Sequence, residues 1–345
     1  MSSQLEFTKE IEKNTAGIYQ KIKSVVPEIE WPLHAPYIYK INELKKKKNA
    51  VILAHNYQTP EIYYGVADII GDSLTLAIEA EKTKADIIIM AGVHFMAETA
   101  KILNPNKKVL LPDLHAGCSL SEGCPPDLFK KFITKHPDHI VISYINCSAE
   151  IKKLSDVICT SSNAKAIIES FPKEQKIIFA PDKNLGAYMN KITKREMVLW
   201  NGSCIVHEQF SLEKILKLKE KHKQAKIIAH PECEDAVLRI ADFIGSTSGL
   251  LNFTKTDEAL EYIIVTEAGI IHQMEKDNPN KKFIPAPPEN NCACNNCPHM
   301  KLNSLEKLYL CMKYEAPEII MDEEIIKMAK IPIMKMLEIS KKAGL

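Results

Sequence analysis

Short apolar runs alternate along this chain with segments of helical period. VILAHNYQ from Val51, IVISYINC from Ile140 and KIIAHPEC from Lys226 are rich in β-formers, and each ends in polar residues. Continuous apolar runs of this length mark strands buried on both faces of a parallel sheet, whereas MAETAKIL carries the 3.6-residue period of a covering helix. The pattern predicts an α/β fold.

The runs also recur at fixed intervals. With His55, Tyr144 and His230 as origins, the spacings are 89 residues (55 to 144) and 86 residues (144 to 230). Sixteen to eighteen residues past each origin stands a hydroxyl-rich turn: Gly-Asp-Ser ending at Ser73, Thr-Ser-Ser around Ser161, and Gly-Ser-Thr-Ser around Ser246. Thirty-seven residues past each origin a second apolar strand ends, DIIIMAG at Gly92, KIIFAP at Pro181 and YIIVTE at Glu267. Such regularity indicates a repeat. We therefore expect three pseudo-threefold-related, Rossmann-like three-layer αβα modules around a central active site. Their expected limits are residues 37–118, 119–204 and 205–300, with an N-terminal helical extension over 1–36 and C-terminal helices over 301–345. Ligands of such sheets bind beyond the carboxyl ends of the strands, where His55, Tyr144, His230 and the hydroxyl turns would lie.

Outside the repeat, residues 5–26 suggest an amphipathic helix ended by Pro27, Pro32 and Pro36. NPNKKFIPAPPENN reads as an irregular loop, and residues 302–345 as closing helices.

Composition narrows the function. Apolar residues make up 46% and charged residues 26% of the 345, with formal net charge +1, so no overall field draws the chain to nucleic acid or to a membrane. A small molecule is the expected partner. The opening MSSQLEFTKEIEK lacks the pattern of a signal peptide, and no run of about 18 apolar residues occurs, so a cytoplasmic location is expected. Arg195 and Arg239 are the only arginines among 45 basic residues. Anions must then be held mainly by backbone N–H groups, Ser/Thr hydroxyls and helix N-termini.

Ten cysteines are many for a reducing compartment, which favours metal binding or catalysis over disulfides. Cys118, Cys204 and the Cys292/Cys294/Cys297 group fall 63, 60 and 62 to 67 residues past their module origins. One soft metal ligand per module is the simplest reading. Cys159 and Cys311 read as buried apolar residues, and Cys147 and Cys233 as packing residues. A zinc site is the competing metal reading of the CxCxxC group.

Ten motifs in order carry a sharper signal: AHNYQ at Ala54, GDSL at Gly71, GVHFMAETAKIL at Gly92, LPDLHAGCSL at Leu111, YIN at Tyr144, CTSSNA at Cys159, GSCIVH at Gly202, AHPEC at Ala229, GSTSG at Gly245 and CPHMK at Cys297. Across about residues 35 to 315 the chain resembles the quinolinate synthase family. That resemblance implies a 4Fe-4S cluster with three cysteine ligands, Cys118, Cys204 and Cys297, and one open iron acting as a Lewis acid. Cys297 is chosen because it precedes Pro298-x-Met300-Lys301, which leaves Cys292 and Cys294 without a defined role. The implied reaction condenses iminoaspartate with dihydroxyacetone phosphate to quinolinate, with loss of phosphate and water. His55, Tyr57, Tyr144, Asn146, His207, His230 and Glu232 match the family's catalytic positions. Substrate would be bound by His55, Ser73, Tyr144, Ile145, Asn146, Ser161, His230, Pro231, Glu232, Ser246 and Thr247. Implied protein partners are the enzyme that supplies iminoaspartate and the iron-sulfur assembly proteins. Two rivals remain: an iron-sulfur hydro-lyase acting on another polycarboxylate, and an electron carrier, which would ordinarily use four thiolates.

Overall fold

The computed structural model describes residues 5–289 and 295–345. It contains three four-stranded, all-parallel sheets flanked by helices, as the apolar runs predict. The first holds β1 (Ala50–His55), β2 (Ile69–Gly71), β3 (Ile87–Ala91) and β4 (Lys108–Leu110) in the order β2-β1-β3-β4. The second holds β5 (His139–Tyr144), β6 (Val157–Cys159), β7 (Lys176–Ala180) and β8 (Val198–Leu199) in the order β6-β5-β7-β8. The third holds β9 (Lys226–Ala229), β10 (Phe243–Ile244), β11 (Glu261–Val265) and β12 (Lys282–Pro285) in the order β10-β9-β11-β12. One strand order thus occurs three times.

The chain divides into two compact units. One comprises Met1–Gly117 and Pro298–Met321 and contains the first sheet; the other comprises Cys118–Cys297 and Asp322–Leu345 and contains the second and third. Each sheet has its own core. Ile52 and Ile89 pack with Trp31, Ile38, Leu308 and Met312; Val141 and Ile178 with Phe129 and Ile151; Ile227 and Ile263 with Ile215 and Val237.

A repeated side-chain clamp accompanies the repeated order. Asp68, Asp156 and Asp242 each precede the edge strand of their sheet, and their carboxylates accept the N–H of Ile52 (2.9 Å), Val141 (2.7 Å) and Ile227 (2.7 Å). Their own N–H groups return a bond to the carbonyls of Ile52, Val141 and Ile227. Each aspartate therefore closes a two-bond ring that sets the register of the edge strand against the central one.

Two expectations need correction. Pro27 follows the first helix, Lys9–Ile22, but Pro32 and Pro36 belong to a second helix, Trp31–Lys47. Pro32 sits in the first turn, where no N–H is needed, and the buried Pro36 forgoes only the bond that would have gone to residue 32. The proline-rich segment is not wholly a loop either, because Lys282–Pro285 pairs in parallel with β11. Pro285 is tolerated at the end of an edge strand, where its missing donor breaks no inner ladder.

Candidate active site

The strand ends carry the polar residues. In the second unit Tyr144 closes β5, while His230 and Glu232 follow β9 directly; all three are buried. The Tyr144 hydroxyl donates to Glu232 Oε1 at 2.5 Å, and His207 Nδ1 lies 2.8 Å from Glu232 Oε2. The other nitrogen of His207 meets the Thr266 hydroxyl at 2.9 Å. His207 thus faces the carboxylate with Nδ1 and the threonine hydroxyl with Nε2. The His207 and His230 rings stack at 4.6 Å, and Cys204 Sγ lies 3.3 Å from His207 Nδ1. A continuous polar chain thus runs Tyr144–Glu232–His207–Cys204.

Electrostatics follow from that packing. Burial alone would raise the Glu232 carboxyl, but His207, His230 and the Tyr144 hydroxyl outweigh it and hold the group below the usual carboxylate range. Asp182 moves the opposite way, pushed up by burial and by the Glu232 charge. Its Oδ1 caps the helix Lys183–Thr193 through Leu185 N–H at 2.8 Å, while Oδ2 is buried with no hydrogen-bond partner among the described residues.

Beside Tyr144, the Ile145 N–H donates to Cys159 O at 2.8 Å and Asn146 Oδ1 is buried without a partner among the described residues. Pro231 occupies the position equivalent to Asn56 and Ile145. It has no N–H to offer the neighbouring strand, and Gly245 instead donates to Ala229 O at 3.1 Å.

The hydroxyl turns are not equivalent. Ser246 caps the helix Thr247–Thr256 by accepting Gly249 N–H at 3.1 Å, whereas in the first unit Asp72 caps Ser73–Lys82 through Thr75 N–H. In the second module Ser161 lies in a turn held by Asn163, whose Oδ1 accepts Thr160 N–H at 2.6 Å and whose amide donates to Ser340 Oγ at 2.9 Å. Ser73 and Thr247 are therefore matched first-turn residues. Each has a hydroxyl beside N–H groups that the helix itself does not use.

The first unit presents its own set at the end of β1. Tyr57 N–H donates to His55 Nδ1 at 3.2 Å, and the two rings meet edge to face at 4.5 Å. Lys301 Nζ holds the Tyr57 carbonyl at 2.6 Å, and Asn303 holds that of Gly92 at 2.8 Å. The Pro-x-Met-Lys segment thus fastens the Tyr57 loop from within that unit.

Cys118, Cys204 and Cys297 each follow the fourth strand of a sheet, lie in the second unit and are half-buried. Burial pushes the Cys118 thiol up to about 12, with Cys297 and Glu232 adding to it. Cys204 is pushed up by burial, Glu232 and Cys118. Three crowded thiols beside a carboxylate fit a cationic metal centre, which would favour the thiolates. Cys204, His207 and Glu232 also place one ligand atom each within 4.8 Å of one another. Cys147, Cys159, Cys233 and Cys311 are buried, as expected of packing residues; Cys292 and Cys294 lie outside the described residues. Sequence reasoning missed Asp182, Thr266, Glu267 and Asn295 as site residues. Their only sequence signal is position, because the first three stand at the 36- to 38-residue offset where strands end.

Parallel sheets that gather a buried acid, two histidines and three thiols at their carboxyl ends define an α/β enzyme with a metal-capable centre. The family model described as Quinolinate synthetase A protein matches residues 39–338. A quinolinate synthase from Chloroherpeton thalassium is 63% identical over 302 residues, covering 87% of this chain and 94% of that protein. One from Nostoc punctiforme is 59% identical over 326 residues, covering 94% and 99%. The chain belongs to the quinolinate synthetase A family of enzymes. No described helix is long and apolar enough to cross a membrane.

Proposed function

We propose that the protein is a cytoplasmic enzyme of NAD biosynthesis that condenses iminoaspartate with dihydroxyacetone phosphate to quinolinate, releasing phosphate and water. The observation that carries this reading is the buried chain Tyr144–Glu232–His207–Cys204 in a member of this family. Glu232 is a carboxylate at neutral pH, able to take a proton from carbon beside an imine or carbonyl, and Tyr144 and His207 orient its two oxygens. Tyr57, His55 and His230 are donors for departing oxygens. In both histidines Nδ1 accepts the N–H of the residue two further on, so the neutral ring carries its proton on Nε2. Asn146, Ile145 and Pro231 stand at strand ends of the second unit, next in the chain to Tyr144 and His230. Ser73, Ser246 and Thr247 bind carboxylate or phosphate at helix starts, where backbone dipoles favour an anion, and Ser161 does so from its turn.

Cys118, Cys204 and Cys297 would hold a 4Fe-4S cluster. When bound, it supplies a Lewis-acidic iron without a cysteine ligand. The upstream enzyme that makes iminoaspartate and the iron-sulfur assembly proteins are the proposed partners. Anaerobically purified protein should contain about four irons with matching sulfide per chain, and it should form quinolinate and phosphate only when both substrates are present. A second reading, a single zinc ion on Cys204, His207 and Glu232, is favoured by their 4.8 Å clustering. Stoichiometric zinc without sulfide in active protein would establish it instead.

A further inference from the structure

Two side chains outside the predicted set fasten the cysteine loops. Ser119 directly follows Cys118, and its hydroxyl accepts Ile205 N–H at 3.1 Å and donates to Ser203 O at 3.4 Å. One hydroxyl therefore grips the residues on both sides of Cys204. Glu267 is fully buried past the end of β11. Its carboxylate receives two backbone donors, Gly269 N–H on Oε2 at 2.7 Å and Cys297 N–H on Oε1 at 2.9 Å. The neighbouring bonds tighten the same segment: Ala268 N–H donates to Asn295 O at 2.9 Å, and the Asn295 amide donates to the carbonyl of Val206, next to His207.

We propose that Ser119 and Glu267 are positioning residues that set the mutual spacing of the Cys118, Cys204 and Cys297 loops before metal arrives. The proposal rests on reading those three cysteines as ligands. Its physical basis is preorganisation: ordering a loop costs backbone entropy, and three unfastened loops would lose that freedom only on capturing the cluster. Both side chains bond to backbone rather than to sulfur, so they fix where each thiol starts without competing for it. A buried carboxylate is costly without partners. Glu267 is satisfied here by donors that include the ligand loop itself.

The test uses protein loaded anaerobically with ferrous iron and sulfide, challenged with a ferrous chelator. Iron content and the rate of iron release are read for the wild type, Ser119→Ala, Ser119→Thr and Glu267→Gln, with far-UV circular dichroism as the check on folding. Loss of an outer-shell contact to a metal ligand typically costs 10–100-fold in metal affinity. Ser119→Ala and Glu267→Gln should therefore release iron about 10–100-fold faster with unchanged dichroism, while Ser119→Thr, which keeps the hydroxyl, should release it at the wild-type rate. Wild-type release from both Ser119→Ala and Glu267→Gln overturns the proposal. If Glu267→Gln does not fold, Ser119→Ala against Ser119→Thr decides it. Wild-type protein that takes up neither iron nor sulfide overturns the ligand reading itself, and this proposal with it.

Discussion

The first and third modules start from one plan and end in different chemistry. Both run their strands in the same order, both use an aspartate clamp, and both place a histidine whose Nδ1 accepts the N–H two residues on. They part at that second residue. In the first module it is Tyr57, a neutral phenol packed against its own histidine; in the third it is Glu232, a buried charge held by His207 and Tyr144. A shared backbone frame therefore fixes where a group stands, and one side chain decides whether that place holds charge.

The comparison breaks most readily at Glu232. Removing a positioned acid–base group typically costs about 10²- to 10⁴-fold, so Glu232→Gln should lower kcat by that much in steady-state quinolinate assays while iron content stays constant. Tyr57→Phe should sit at the low end of the range. A larger loss for Tyr57→Phe than for Glu232→Gln would reverse the division of labour between the modules. Thr247→Val and Ser73→Ala test the matched helix starts. A hydroxyl bond to an anion is worth about 1.5–3 kcal/mol, so each should raise KM by about tenfold or more with little change in kcat, and an effect confined to one of them would show that only that module grips an anion.

Smaller effects probe the frame itself. Asp156→Ala and Asp242→Ala should each cost about 1 kcal/mol in urea unfolding, since each removes one side-chain bond to a strand N–H. Equal costs would support equivalent clamps. The smallest effect concerns Glu315, held down to about 2 by hydrogen bonds from Lys108 and then Lys48. Its folded pKa is lower than its ordinary 4.5, so its contribution is present above about pH 4.5 and lost as pH falls toward 2. Glu315→Gln should remove that acid-dependent part. Because the pair is partly exposed, about 1 kcal/mol or less is expected from unfolding at pH 7 against pH 3.

Much of this architecture could be read before any coordinates, for identifiable reasons. Central strands, such as residues 51–54 and 227–229, are buried on both faces, which forces the apolar runs, and His55, Tyr144 and His230 stand at or just past the ends of such strands. Edge strands escaped because Val198–Leu199 and Phe243–Ile244 are too short to show a period. KFIP was hidden among prolines. Glu267 was visible only as the end of an apolar run, since a side chain that bonds to a distant backbone N–H leaves no periodic trace. The aspartates before the edge strands leave no periodic trace either, and only their bonds to the central strands show them to be clamps.

Each unit is assembled from two stretches of chain, and this has a consequence for synthesis on the ribosome. The first unit is interrupted by 180 residues (118 to 297) before Pro298–Met321 completes it. At about 5–20 residues per second that gap lasts roughly 10–40 s. During this time the surfaces of the first sheet that Leu308 and Met312 later cover stay open to the nascent-chain environment. Cys297 immediately precedes the completing segment, so the three-thiol set and the first unit's core become available within moments of each other. The second unit waits longer still, because Ser340, which bonds Asn163, follows the segment that completes the first unit.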